Sequence, residues 1–303
     1  MKHAASLTLG WWASALGAAN APELLPNPVG YHAIAWPDDQ LDHALETISS
    51  LGFRGVQLLG WTKDAYAVEK ADGLKAQLAR LKLKAVALSC HGVRLDPARP
   101  EDDSALLRDY CRFFQSLGGM YLQVTDGGRP HRKYSAQEIE SLGRRMNELG
   151  RLAQDFGLTL GYHPHFNTLG ETREGLGRVL EATDPRYVKL IADVGHLALG
   201  GADPAEVIRT YHERLIFLHF KDLRSDVAER APKSRDSVRR EKYLFCEIGT
   251  GTVNLPAIVQ AFRDTRFSGW VIVELDAYKR GPGGADASAR ANKEAMQKLG
   301  FRL

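Results

Sequence analysis

From residue 29 onward the chain alternates short apolar runs with stretches of helical periodicity, and this alternation most constrains its fold. Val29–Trp36 is the first apolar run. Asp38 is then suited to cap a helix, and apolar residues recur at helical spacing from Leu41 to Leu51. The same pattern predicts further strands at Gly52–Leu59, Lys84–Cys90, Met120–Thr125, Leu158–Tyr162, Tyr187–Ala192, Leu215–Phe220 and Trp270–Leu275. It predicts later helices near residues 64–81, 104–117, 135–156, 172–182, 204–212 and 287–299.

Successive strands that are each followed by a helical stretch predict an α/β protein with a single (β/α)8 barrel, also called a TIM barrel. A doubly wound open sheet is the alternative, and it would need a glycine-rich phosphate turn after its first strand. The corresponding turn, Ala35–Asp38, contains no glycine. Because no internal repeat or low-complexity linker interrupts the pattern, residues 29–303 are interpreted as one barrel domain and residues 1–28 as an N-terminal segment.

The N-terminal segment resembles a secretory signal peptide. It has a short basic start at Lys2, an apolar middle from Ala4 to Ala19, and the sequence Ala-Asn-Ala at 19–21. We therefore expect a periplasmic or exported protein if residues 1–21 are cleaved, and a cytoplasmic one otherwise. An apolar helix that closes the bottom of the barrel is the alternative interpretation.

The charge balance excludes some classes of partner. The chain has 40 Lys+Arg against 37 Asp+Glu, without the basic excess expected of a nucleic-acid or membrane-surface binder. No apolar stretch of about 20 residues follows the N-terminal segment, so no membrane span is predicted. The three cysteines have no CxxC spacing and are odd in number, which argues against a disulfide framework.

Residues suited to bind a metal stand at the exits of four successive predicted strands. They are His163, Asp193, His219 and Glu274. A parallel barrel brings such exits onto one face, and two imidazoles with two carboxylates suit Mn, Co, Zn or Fe. A lone histidine at a strand end is more often structural, but four ligands at successive exits predict a divalent metal site.

Residues near these ligands are candidates for proton transfer. His165, His196 and Lys221 are predicted as catalytic residues, together with Glu274 itself. Lys221 lies two residues beyond a predicted ligand and therefore shares its face of the strand. Two alternatives remain: Lys221 pairs with Asp222 as a capping ion pair, or His196 serves only to hold a ligand.

Three further residues are predicted to contact the substrate: His91 after the third strand, Trp36 after the first, and Arg224 after the seventh. Arg224 belongs to a long polar connection, Leu223–Tyr243, on the predicted catalytic face. Such a connection is interpreted either as a lid or as a solvated insertion.

The motifs His163-Pro164-His165, Asp193-Val194-Gly195-His196, His219-Phe220-Lys221-Asp222 and Glu274-Leu275-Asp276 resemble those of the xylose-isomerase-like barrel superfamily of sugar isomerases and epimerases. Within it, Tyr162–His165 and Ser89–Gly92 are most similar to inosose (2-keto-myo-inositol) dehydratases. The resemblance implies metal binding by Asp193, His219 and Glu274. His163 stands where most members have a metal-binding glutamate, and the inosose dehydratase group also has histidines there.

The resemblance implies a divalent-metal-dependent lyase or isomerase of carbohydrate metabolism that acts on a keto-sugar or cyclitol through an enolate. A sugar isomerase or epimerase with an enediolate intermediate is the nearest alternative, and a catalytically inactive sugar-binding barrel is another. The near-neutral charge and the missing strand-five glutamate argue against an apurinic endonuclease of the same superfamily. Formation of a homo-oligomer is left open.

Overall fold

A computed structural model describes residues 24–91, 93, 95, 103–127, 134–276 and 283–303. Eight parallel strands close into one barrel with helices around it, which confirms the predicted (β/α)8 fold. The expectation of a signal peptide at residues 1–21 falls outside the described part of the chain. Among the described helices, none is long and apolar enough to cross a membrane.

The barrel strands follow the chain order around the ring. They are β1 (Val29–His32), β2 (Gly55–Leu59), β3 (Lys84–Ser89), β4 (Tyr121–Val124), β5 (Thr159–Tyr162), β6 (Val188–Asp193), β7 (Leu215–Phe220) and β10 (Trp270–Val273). Two short strands, β8 (Asp222–Leu223) and β9 (Phe245–Cys246), form a separate antiparallel pair. The barrel closes where β10 pairs with β1, through the partners Val29 and Val271.

Helices connect the strands on the outside. They are α1 (Leu41–Ser50), α2 (Thr62–Arg80), α3 (Asp103–Ser116), α4 (Ala136–Asp155), α5 (Arg173–Glu181), α6 (Val194–Leu199), α7 (Pro204–Tyr211), α8 (Ser225–Arg230), α9 (Arg235–Arg239), α10 (Leu255–Thr265) and α11 (Gly284–Lys298). Local sequence explains several starts. Ser135 and Glu138 form a reciprocal capping box at α4, and Asn254 caps α10.

The first strand is shorter than the sequence predicts. It ends at His32, and Ala33–Ala35 forms a 3-10 turn because the His32 side chain accepts a hydrogen bond from the backbone N–H of Ile34. Two helices, α6 and α10, were not predicted from the sequence.

The connection predicted as a polar loop, Leu223–Tyr243, contains α8 and α9 and has its own apolar cluster. Val227 and Val238 are fully buried there with Phe166 and Phe245. This corrects the interpretation of a solvated insertion. Charged residues alternate with a few apolar ones that pack inward, so average polarity concealed the packing.

We expect Val238→Ala to lower the free energy of unfolding by about 2 kcal/mol, because two buried methyl groups are lost and a cavity is left. Urea denaturation would measure the change. Arg240→Ala is the control, since Arg240 is exposed and its replacement should change stability by less than about 0.5 kcal/mol. Equal, negligible effects of both substitutions would contradict a packed segment.

Candidate active site

The four predicted metal ligands meet at the C-terminal end of the barrel. Asp193 ends β6 and His219 lies within β7, while His163 and Glu274 directly follow β5 and β10. Ladder hydrogen bonds continue through the last two, since His163 N–H donates to Val124 and Glu274 N–H donates to Phe220. All four ligand side chains are buried. The regular barrel therefore brings together residues that are far apart in sequence.

The donor atoms of His163, Asp193 and His219 all lie within 4.8 Å of one another, and Glu274 adjoins this group through His219. His219 Nδ1 is 3.1 Å from His163 Nε2, 3.4 Å from Asp193 Oδ2 and 3.0 Å from Glu274 Oε2. His163 Nε2 is 3.3 Å from Asp193 Oδ2. Ligand atoms about 2.1 Å from one cation would be separated by distances of this size.

Two buried atoms of the predicted ligands, His219 Nδ1 and Glu274 Oε2, are available to bind a cation. His219 Nε2 lies 2.7 Å from Gln57 Oε1, which only accepts, so Nε2 carries a proton and the neutral imidazole has its lone pair on Nδ1. Glu274 Oε2 is buried and receives no hydrogen bond from any residue that the structure describes. A cation between these atoms would satisfy them, so the residues fit a divalent metal.

Lys221 supplies a buried positive charge beside the four ligands. Its side chain is 0% exposed, and Nζ is 2.8 Å from Glu274 Oε1, 2.8 Å from Asp276 Oδ1 and 3.1 Å from Asp193 Oδ2. The Phe245 ring covers the ammonium at 4.6 Å. Lys221 therefore faces the predicted metal site, as the spacing in β7 predicts.

Asp222 does not pair with Lys221. Its carboxylate accepts hydrogen bonds from the backbone N–H groups of Leu223, Gly249, Gly251 and Val253 at 2.8–3.0 Å. This geometry contradicts the alternative of a capping ion pair between the two neighbours. Successive side chains of an extended segment point in opposite directions, which separates them.

The charges in the site stabilise one another. Burial alone would raise the pKa of Asp193, but Lys221 and the His196 imidazole hold it well below its usual range. Burial opposes the charged form of Lys221 as well, yet the surrounding carboxylates raise its pKa. Burial lowers the pKa of His163 to about 3, so this imidazole is neutral and able to bind a metal at neutral pH.

A second group of ionisable residues lies next to Lys221. His165, His196 and Asp276 each offer an atom within 4.8 Å of the others. The His165 and His196 rings are 3.7 Å apart, and His196 Nε2 is 3.3 Å from Lys221 Nζ. The predicted catalytic residues thus adjoin the ligand set. Asp276 belongs to the last of the sequence motifs, but no role was predicted for it.

Close packing requires a glycine at position 195, within the motif Asp193–His196. A Cβ at Gly195 would lie 3.0 Å from Lys221 Cγ and 2.9 Å from Phe245 Cε1. Such contacts would displace the lysine stem or the ring above it. Gly195 therefore allows the Lys221 ammonium to reach the carboxylates.

A polar layer on the opposite wall of the barrel was not predicted from the sequence. His32, Gln57, Ser89 and Gln123 come from β1 to β4 and form a continuous hydrogen-bonded chain. Ser89 and Gln123 also line a cavity of about 200 Å³, together with His91, Thr125 and Asp126. Gln57, a fully buried polar residue within an otherwise apolar strand, was the available signal.

The predicted substrate contacts have mixed outcomes. His91 lines the cavity, and its contact with substrate stays a prediction. Trp36 is buried in the apolar core, where it packs against Tyr31 and donates to Asp286. Arg224 is held by Asp226 and by the backbone carbonyl of Tyr243. The structure therefore gives Trp36 a packing role and Arg224 a role within the α8–α9 segment, which corrects both expectations.

The barrel and the residues at its C-terminal end define the class of protein. A family described as the xylose isomerase-like TIM barrel matches residues 45–299. The chain belongs to this family and is an enzyme of it, which confirms the resemblance seen in the sequence.

Relatives named inosose dehydratase are similar over most of their length. The protein from Geobacillus kaustophilus (strain HTA426) is 26% identical over 83% of this chain and 88% of its own. The protein from Halalkalibacterium halodurans is 27% identical over 82% of this chain and 86% of its own.

Solved structures share the fold. A crystal structure of the IolI protein with a bound zinc atom has a TM-score of 0.72 at 17% identity and covers 90% of this chain and 98% of that one. The probable 3-DHS dehydratase AsbF from Bacillus anthracis has a TM-score of 0.72 at 17% identity, with 89% of this chain and 98% of that one covered.

Proposed function

We propose that the protein is a divalent-metal-dependent lyase that removes water from a keto-polyol or keto-sugar, similar to inosose dehydratase. The observation that carries the proposal is the convergence of donor atoms from His163, Asp193 and His219, with Glu274 against His219, next to a buried lysine. The relatives named inosose dehydratase support the reaction type. The zinc atom in the IolI structure supports a metal in a barrel of this fold.

His163, Asp193, His219 and Glu274 would hold the metal. When bound, a divalent cation acts as a Lewis acid that stabilises negative charge on a substrate oxygen. The identity of the metal is left to Mn, Co, Zn or Fe, because imidazole and carboxylate ligands suit each of them.

Lys221 acts as a fixed positive charge and proton donor rather than as a base. Its pKa is raised by the carboxylates of Asp193, Asp276 and Glu274 despite its burial, so the ammonium stays protonated. Removing a proton next to a ketone leaves a negatively charged enolate. An ammonium held beside this charge lowers the barrier, and it can donate a proton to the departing hydroxyl.

His165 is the proposed base. Its Nδ1 lies 2.7 Å from the carbonyl oxygen of Phe166 and therefore carries the proton, which leaves the Nε2 lone pair able to accept one. His165 is also partly exposed. His196 differs, because its Nδ1 accepts the backbone N–H of Phe166 and its proton is on Nε2. We assign His196 a positioning role against His165.

A reaction in deuterated water would test the function. Protein loaded in turn with Mn, Co, Zn or Fe is incubated with 2-keto-myo-inositol and with common keto-sugars, and NMR follows the products. Loss of water from the substrate is the expected result. The Asp193→Asn protein, treated in the same way, controls for reaction catalysed by free metal.

Two outcomes would contradict a dehydratase. Exchange of an α-proton without loss of water would indicate an isomerase or epimerase. Binding without any chemical change, seen as line broadening of the ligand alone, would indicate an inactive sugar-binding barrel. The single glutamate of the site weighs against an epimerase, whose usual arrangement has two glutamates on either side of the substrate.

A further inference from the structure

The polar layer of β1 to β4 is joined to the predicted metal site by one hydrogen bond. Gln57 is fully buried, and its Oε1 lies 2.7 Å from His219 Nε2. Gln57 Nε2 lies 2.9 Å from Ser89 Oγ and 2.7 Å from Gln123 Oε1. Gln57 therefore contacts both a predicted metal ligand and two residues of the cavity wall.

The direction of the hydrogen bonds in this layer decides which nitrogen of His219 can bind a metal. With Gln57 Oε1 toward His219, a neutral His219 has its proton on Nε2, and its Nδ1 lone pair faces the other ligands. If the Gln57 amide were turned by 180°, its NH2 group would face Nε2. The proton of a neutral His219 would then be on Nδ1, inside the metal site, and would block coordination.

The same bonds determine what the cavity presents to a ligand. His32 Nδ1 accepts from the backbone of Ile34, so His32 Nε2 carries a proton and donates to Ser89 Oγ. Ser89 Oγ also accepts from Gln57, which leaves its own hydroxyl proton for a ligand. Gln123 uses its carbonyl oxygen for Gln57 and keeps its amide N–H groups as donors. The cavity wall therefore offers donors to carbonyl or hydroxyl oxygens.

We propose that Gln57 is a positioning residue that couples the metal centre to the cavity lined by Ser89 and Gln123: it holds His219 as the Nε2–H tautomer and orients these two residues as donors. The inference rests on the proposed metal centre. It predicts that loss of the Gln57 carbonyl weakens metal binding although Gln57 does not touch the metal.

Zinc affinity measured by competition with a chromophoric chelator tests the proposal without using activity. Gln57→Leu removes the acceptor and should weaken Zn²⁺ binding about 10–100-fold, the usual effect of losing an outer partner of a ligand. Gln57→Glu keeps an acceptor for His219 Nε2–H and should bind Zn²⁺ at least as tightly as the wild type. Ser89→Ala is the matched control, since it changes the layer but leaves the Gln57–His219 bond, and its affinity should stay within about threefold of the wild type.

A second measurement reads the tautomer directly. Imidazole ¹⁵N chemical shifts of His219, assigned with His219→Asn, should report Nε2–H in the wild type and in Gln57→Glu. A shift toward Nδ1–H is expected in metal-free Gln57→Leu. A purely structural role would lower the melting temperature of Gln57→Leu and leave both the tautomer and the zinc affinity of the folded protein unchanged.

The possible failures are distinct. Wild-type protein that binds none of Zn²⁺, Mn²⁺, Co²⁺ and Fe²⁺ overturns the metal centre and with it the proposed function. Wild-type protein that binds Zn²⁺, with Gln57→Leu binding equally well, overturns the role of Gln57 and leaves the metal centre intact.

Discussion

Replacing Lys221 with methionine is expected to lower kcat by about 100-fold or more and to destabilise the metal-free protein. Methionine keeps most of the stem but removes the ammonium that contacts Asp193, Glu274 and Asp276. Loss of one general acid or electrostatic group commonly costs about 10²-fold or more in rate. Removing one partner of a buried charge cluster costs roughly 3–5 kcal/mol, because carboxylates are left buried without compensation.

Two measurements on the same variant separate these effects. Thermal unfolding without metal should show a melting temperature lower by about 10 °C. Saturation with metal should restore part of this loss, since a bound cation again neutralises Asp193 and Glu274. Lys63→Met is the control, because Lys63 forms a surface ion pair with Asp64 that contributes less than about 1 kcal/mol. A lowered melting temperature with unchanged kcat would make Lys221 structural.

Replacing Asp193 with asparagine is expected to weaken Zn²⁺ binding by at least about 100-fold, more than the loss of an outer partner of a ligand. The two carboxylate oxygens of Asp193 have different partners. Oδ1 accepts the backbone N–H of His196 and caps α6, while Oδ2 faces the other ligands. Asparagine keeps the cap through its carbonyl oxygen. Its NH2 group, however, places protons where a metal would bind and removes the negative charge.

Elemental analysis and chelator competition would measure the effect. Asp203→Asn is a matched control, since Asp203 caps α7 through the N–H of Ala205 and lies outside the candidate site. The control should keep full metal content. Equal metal content in wild type and Asp193→Asn would remove Asp193 from the ligand set.

The exits of the strands could be predicted from sequence because a parallel barrel imposes one rule on all of them. Once the alternation of strands and helices is recognised, residues at the C-terminal ends of strands must lie on one face. His163, Asp193, His219 and Glu274 could therefore be placed together although they are separated by up to 111 residues. Lys221 followed from the two-residue period of β7.

The opposite wall could not be predicted in the same way. Gln57 and His219 are 162 positions apart, and a single buried glutamine in an apolar strand gives no information about its partner. Trp36 and Arg224 fail for a related reason. Each lies in a turn just beyond a strand, where the backbone is irregular and the strand period no longer fixes the direction of the side chain. Trp36 is instead buried and bound to Asp286, and Arg224 is bound to Asp226.

The four backbone hydrogen bonds accepted by Asp222 have a consequence for how this enzyme can diversify. The Asp222 carboxylate links the chain after β7 to the residues that follow β9. It therefore holds the two ends of the α8–α9 segment together. The distance between the two ends of this segment then does not depend on the length or sequence of the segment. A segment of another length or composition can replace it while Lys221, the residue before Asp222, keeps its position. Substrate preference can thus diverge over an unchanged set of reacting groups.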